Sequence, residues 1–402
     1  MASRYFIVVL VTCISGMVGY NTLEGCRADA LMSEIVWHGT QEKYQIFDTL
    51  GGRFNSEFGM EAFPHVQTID YFVDDTSSKF PQSHVMDFHN KAEGHERRIA
   101  TYLCENLRMA TDIEVWSSFP LKKKKKKILP DSIYPQTYIY LTQVIQAETM
   151  AYGYRGWRRQ WGDERRCGGA LLWQLNDCWP GISWAIVDYF LRPKPAYYAV
   201  ARVLKPLAIG VCREHHDWSV VHAQPPKTSK YDLWIVSSHG HEVIGRVELK
   251  FISVNTGIEV CDPIIKDDIS IAPNGTTNII VDGIIDHTTH PEPHVLSARL
   301  WVDDSIIARD VDWPQPLKYL DFSDRGLEVK EVKSPAASSC KDNNYELTVS
   351  AKKPLKSLVF EQRDDVVFSD NALDVVPGDV QVIQVTGLKE GDKPLTWNFI
   401  GW

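Results

Sequence analysis

The chain has 402 residues, 44% of them hydrophobic and 24% charged, with 25 Gly and 21 Pro. That length allows two or three domains with separate cores, and the apolar content excludes disorder as the main state. A formal net charge of −9 argues against nucleic acid or an anionic membrane surface as the main partner.

At the start, Arg4 followed by the apolar run Tyr5 to Val18 has the charge and length of a signal peptide. The run is too short to span a bilayer as a helix, and no Ala-x-Ala cleavage site follows it. Secretion, a buried strand and an aberrant leader over residues 1–35 are the three open readings. Eight cysteines, at 13, 26, 104, 167, 178, 212, 261 and 340, form no CxxC pair. Their spacing fits neither a zinc site nor a dense disulfide framework. Reduced thiols are the plainest account, with a Cys212–Cys261 bridge across a β-sandwich as the alternative. The 13 Trp suit either core filling or stacking on the apolar faces of sugars.

Residues 36–205 mix helical and strand patterns. Helices are expected over 64–75, which opens with Pro64, over 91–114, where Ile99, Tyr102, Leu103 and Leu107 share a face, and over 137–160. Gly168 to Trp173 predicts a short buried strand, and 195–204 a further helix. After Lys205 short alternating strands appear between Pro, Asn and Gly turns, among them 232–237, 243–253, 277–281 and 294–302. These predict an all-β sandwich over 206–315. A second β domain follows over 320–402, introduced by Trp313-Pro314-Gln315-Pro316.

Residues 115–136 interrupt this pattern with six consecutive Lys and three Pro. Excision would join Glu114 to Thr137 and restore the helical texture. The segment starts with Val and ends with Gln, which suits a retained intron; a solvated loop and a basic targeting patch are the other readings.

Two segments have the composition of a site. In Gly52 to Met60 (GRFNSEFGM) a short strand delivers Glu57 ahead of Phe58-Gly59, as a barrel strand presents a carboxylate at its mouth. Arg53 is placed to favour the ionised form. Taken alone, a single Glu in such a segment is weak evidence, since a structural or merely solvated glutamate fits it as well. In Trp173 to Pro180 (WQLNDCWP) polar side chains end an apolar strand, which is unfavourable unless they are bonded or functional. A sugar-binding floor and a plain strand exit are both compatible with it.

The stretches GRFNSEFGM, the run from Tyr152 to Pro206, and WVDDSIIARDVDWPQP together resemble the β-mannosidases of glycoside hydrolase family 2, in flavour the fungal intracellular type. The resemblance covers residues 36 to 402 apart from 115–136. It implies a multidomain protein, α/β then all-β: a partial (β/α)8 TIM barrel followed by two immunoglobulin-like β-sandwiches. It implies retaining hydrolysis of terminal β-D-mannose from β-mannoside oligosaccharides, with Glu57 as nucleophile on the seventh barrel strand. Trp173, Asn176, Asp177 and Trp179 follow on the eighth strand as substrate contacts, with Trp173 against the mannose. Trp37 and His38 resemble the loop before the nucleophile strand. No metal or organic cofactor, no nucleic acid and no stable membrane insertion are implied, and a cytoplasmic location is.

The departure concerns the acid/base, a Glu preceded by Asn in this family. The sequence contains no Asn-Glu dipeptide. A barrel takes roughly 250 residues, and residues 36–205 fall short of that, so the expectation is a truncated barrel with impaired activity. A family 2 enzyme of other sugar specificity and a non-catalytic carbohydrate-binding fragment are the competing readings.

Overall fold

The structure, a computed structural model, describes residues 7–10, 42–50, 52–92, 94–108, 134–162, 164–333, 345–389 and 392–401. Most of the 1–35 leader, Trp37, His38 and residues 115–133 of the suspected insertion lie outside the described residues. The chain divides into two compact units. Among the described residues, no helix is long and apolar enough to cross a membrane.

One unit holds residues 7–156 and 169–200. Three short strands, β1 (Ile7–Leu10), β2 (Asn55–Phe58) and β3 (Gly169–Leu172), form a parallel sheet in the order β1-β3-β2. A piece of the signal-like apolar run is thus a strand, with Ile7 opposite Gly169 and Leu10 opposite Leu172. Gly169, Ala170 and Leu172 are buried, as a central parallel strand covered on both faces requires.

Helices follow the strands: α1 (Val66–Phe72), α2 (His84–Phe88), α3 (His95–Asn106), α4 (Tyr134–Arg159) and α5 (Pro195–Val203). The expected helix over 91–114 is shorter, because Gly94 adopts a left-handed φ of 69° at its start and Leu107 turns extended at its end. Its expected apolar face holds: Ile99, Tyr102, Leu103 and Leu107 are all buried. Helix α4 begins at Tyr134, within the suspected insertion, and Pro135 sits in its first turn, where no intrahelical N–H is lost. From Tyr138 to Ala147 it is buried all round, so its polar residues bond to backbone. Gln143 Nε2 donates to the Phe63 carbonyl at 3.1 Å, and Thr142 Oγ1 accepts from Phe63 N at 3.2 Å. Gln146 Nε2 donates to Met60 O at 2.8 Å and to Trp184 O and Ala185 O at 3.2 Å. One buried amide therefore ties the exit of β2 to the loop after β3.

The other unit contains residues 157–168 and 201–402. Its first sandwich comprises β4 (Leu207–Arg213), β5 (Thr228–Ser237), β6 (Val243–Ser253), β7 (Ile264–Ile271), β8 (Gly275–Asp286), β9 (His294–Val302) and β10 (Ser305–Asp312). They form antiparallel sheets β4-β5-β8 and β10-β9-β6-β7. Val211, Leu233, Ile235, Leu249, Leu296 and Leu300 build a common core. Cys212 and Cys261 are both free thiols, which corrects the disulfide alternative. Cys212 packs with Ala208, Trp234 and Val236, whereas Cys261 borders the larger core.

The second sandwich comprises β11 (Glu328–Lys333), β12 (Tyr345–Ser350), β13 (Leu355–Phe360), β14 (Val367–Phe368), β15 (Leu373–Val375), β16 (Gln381–Thr386) and β17 (Trp397–Asn398). Its sheets run β11-β12-β16-β14 and β15-β13-β17. The buried Asp379 joins the two sandwiches by accepting from Arg309 Nε at 2.9 Å.

Candidate active site

Glu57 lies on β2, half-buried between exposed Ser56 and buried Phe58. Strand pairing brings the next residue against Trp173: Trp173 N donates to the Phe58 carbonyl at 2.9 Å. The approach continues one residue on, where a Cβ added to Gly59 would lie 1.9 Å from the Trp173 carbonyl oxygen. Only glycine fits there. Trp173 is half-buried and joined to Gln174 by a cis peptide bond. Arg53 is exposed in the bend before the strand.

Asn176, Asp177 and Trp179 are committed to protein contacts. Asn176 Nδ2 donates to the Asp177 carbonyl at 3.2 Å. Asp177 is buried, and Gln174 Nε2 donates to its Oδ1 at 3.3 Å. Burial pushes the Asp177 carboxyl up, opposed by Lys194, Ser183 and Lys91. Trp179 stacks on His89 at 4.5 Å, and His89 stacks in turn on Phe72 at 3.9 Å. Lys91 Nζ stands 5.2 Å from the Trp179 ring.

Sequence reasoning missed the network beneath this floor. Lys194 is fully buried, and Nζ donates to the Ala62 carbonyl at 3.2 Å. Burial lowers its pKa, while Asp177 and Asp188 raise it. Asp188 accepts from the backbone N–H of Phe190 and Arg192 at 3.0 Å each, and from the Thr68 hydroxyl. His65 lies beside it; burial pulls its imidazole below the ordinary value. Lys194 thus links the exit of β2 to the loop after β3. A fully buried lysine leaves no periodic trace in sequence; the signal was the run of charges Asp188, Arg192 and Lys194 bracketing an apolar turn.

Chemically, the arrangement sets the half-buried Glu57 on the strand paired with the one that runs into Trp173. Three further carboxyls, all buried, are engaged elsewhere. Glu61 is raised by burial and held by Arg98, whose Nε donates to it at 2.9 Å; Asp177 and Asp188 flank Lys194. Among the described residues, Asp87, His95 and Glu96 bring one imidazole nitrogen and two carboxylate oxygens within 4.8 Å of one another. Their one-off spacing matches no metal motif.

Residues 229–319 match the model of the mannosidase Ig/CBM-like domain, and 323–397 that of an Ig-fold domain. Beta-mannosidase B of Aspergillus fumigatus is 67% identical over 366 residues, covering 91% of this chain and 40% of the relative. The Aspergillus oryzae protein of the same name is likewise 67% identical over 366 residues. The crystal structure of β-D-mannosidase from Dictyoglomus thermophilum is similar with a TM-score of 0.71 at 22% identity, over 91% of this chain and 40% of that one. An exo-chitosanase from Amycolatopsis orientalis gives 0.62 at 15% identity, over 87% of this chain and 42% of that one; both likenesses concern the fold. The chain is thus similar, along 91% of its length, to a segment of curated β-mannosidases, and it spans 40% of the length of the curated relatives it matches.

Proposed function

We propose that this chain supplies the nucleophile side of a retaining β-mannosidase site. The observation that carries the reading is the 67% identity to Beta-mannosidase B across a segment that includes Glu57 and Trp173. On this reading β2 and β3 are the seventh and eighth strands of a (β/α)8 barrel, within a domain over 36–205 followed by β-sandwiches over 206–315 and 320–402. Their parallel pairing and the helices between them support it.

In the reaction, a Glu57 oxygen attacks the anomeric carbon of a terminal β-mannoside as the aglycone oxygen departs with a proton from an acid carboxyl. Water, deprotonated by the same carboxyl, then displaces Glu57 and regenerates it. Trp173 offers an indole face to the sugar. Glu57 needs its partner carboxyl about 5–5.5 Å away, and the family's Asn-Glu pair is absent from these 402 residues.

A β-mannosyl fluoride carrying fluorine at the 2-position tests the nucleophile, because fluoride leaves without protonation. Intact-mass labelling mapped to Glu57, and its absence in Glu57→Gln, is the expected result. Stable labelling of another carboxylate would sink the assignment. A second reading, sugar binding without turnover, is favoured by the missing Asn-Glu pair; saturable mannose binding with no labelling would support it.

A further inference from the structure

We propose that Asp87, His95 and Glu96 form a binding site for a divalent transition-metal ion of the Zn2+ or Mn2+ class. Asp87 lies near the end of α2, and His95 and Glu96 open α3. One ring nitrogen of His95 and one carboxylate oxygen from each acid lie within 4.8 Å of one another.

The described residues between the helices are tied by several hydrogen bonds. Asn90 bonds Ala92 twice, Nδ2 to its carbonyl at 2.6 Å and Oδ1 from its N–H at 2.8 Å. Gly94, with φ 69°, completes the reversal that a residue with a Cβ would resist. The far side is pinned to the loop after β3: Lys91 N donates to Ile182 O at 3.0 Å, and Ile182 N to His89 O at 2.9 Å. A Cβ at Gly181 would meet that His89 carbonyl at 2.3 Å.

A pair of acids near helix starts has an ordinary explanation in the helix dipole, and Glu96 does occupy the first turn of α3. The dipole does not account for the imidazole. His95 is 2% exposed, and its Nε2 is buried without a hydrogen-bond partner. An unsatisfied buried nitrogen is disfavoured unless something binds it. The Ala92 carbonyl is the hydrogen-bonding neighbour of the ring. That is the usual arrangement of a metal-ligating histidine, in which a backbone carbonyl takes one N–H and leaves the other nitrogen to the ion.

The donor set selects the class. One imidazole and two carboxylates suit borderline divalent ions; calcium prefers an all-oxygen cage, and copper(I) prefers sulfur. Bonds of about 2.0–2.2 Å would set tetrahedral donors about 3.3–3.6 Å apart. Asp87 is exposed and Glu96 half-exposed, so both can rotate toward the fixed imidazole to close that difference. Three protein ligands leave a position for water. Because the same turn carries His89, which stacks on Trp179, an ion here would brace the aromatic wall of the floor as well as the turn.

The full chain, made without a polyhistidine tag and freed of metal by a chelator, is titrated with Co2+ and separately with Zn2+. The expected result is one saturable equivalent, with visible absorption for cobalt and a rise in thermal midpoint. Asp87→Asn and Glu96→Gln should each weaken binding at least about tenfold and remove the thermal shift. Both lie where a polar amide is tolerated, and unchanged circular dichroism verifies folding. No saturation at millimolar metal, or binding indifferent to both substitutions in folded protein, overturns the site.

Discussion

The carbonyl oxygen of Trp173 occupies space that a methyl group on Gly59 would need, 1.9 Å from its ideal Cβ position. The atoms behind it are no softer: Trp173 C and Trp184 Cδ1 both lie 3.1 Å away. Gly59 therefore sets how closely the strand bearing Glu57 can approach the one bearing Trp173. Gly59→Ala must push these backbones apart and should destabilise this unit by about 3 kcal/mol, read as a fall in urea midpoint. Gly240→Ala, where no atom lies within 4 Å, should stay within about 0.5 kcal/mol of the parent. Equal effects at the two sites would refute the packing argument.

Lys194 carries a second prediction. Its ammonium group faces Asp177 and Asp188 in a site closed to solvent. Lys194→Met fills the volume but removes the cation facing the buried Asp177, while Asp188 keeps its bonds from Thr68, Phe190 and Arg192; the change should destabilise by about 3 kcal/mol. Adding Asp177→Asn should recover some of that loss, since the pair shares one electrostatic environment. Strictly additive effects would show that the two groups are not coupled.

The readability of these features in sequence followed their periodicity. Helix α3 was legible from Ile99, Tyr102, Leu103 and Leu107, and β3 from an unbroken apolar run. Strands β5, β6, β8 and β9 were located, with β5 and β8 longer than expected. Strand β7 (IIKDDISI) escaped because it lies at a sheet edge with most of its side chains exposed, so charges replace the alternation. Glu57 and Trp173 were identifiable as a pair only through the family resemblance. Their physical link, Gly59 against the Trp173 carbonyl, depends on a contact between residues far apart in sequence. The Lys194 network left only its local run of charges as a signal, and Asp87, His95 and Glu96 are near in sequence but at a spacing that matches no metal motif.

Acid should weaken the first β-sandwich through His294. This residue is 2% exposed, and burial, Arg213, His287 and His290 hold its pKa down to about 4 against an ordinary 6.5, with the Glu292 carbonyl opposing. Between those values the unfolded chain binds the proton and the folded chain does not. Stability is therefore full above pH 6.5 and falls as pH drops toward 4, by up to about 3 kcal/mol from this group. His294→Gln should flatten that stretch of the pH profile in urea titrations at pH 7 and pH 4.5. An identical slope in the variant would exclude His294 as the cause.

The activity of the 402-residue polypeptide should depend steeply on the leaving group. A general acid contributes about 10²–10⁴-fold to glycoside cleavage, and most of that is spent on protonating a basic aglycone oxygen. With Glu57 present and the Asn-Glu pair absent, the deficit should concentrate in substrates that need the proton. Alkyl β-mannosides should react at least about 10²-fold more slowly than with a complete relative. With dinitrophenyl β-mannoside or β-mannosyl fluoride the deficit in the first step should shrink, because those groups depart as stable anions. The second step lacks a base for water, so the glycosyl-enzyme on Glu57 should accumulate. Azide, a nucleophile that needs no deprotonation, should release it as β-mannosyl azide. Burst kinetics on dinitrophenyl β-mannoside, with and without azide, separate the two steps. Family-level turnover of alkyl mannosides without azide would show that another carboxyl serves as acid/base, and would shift attention to the carboxylates that flank β2.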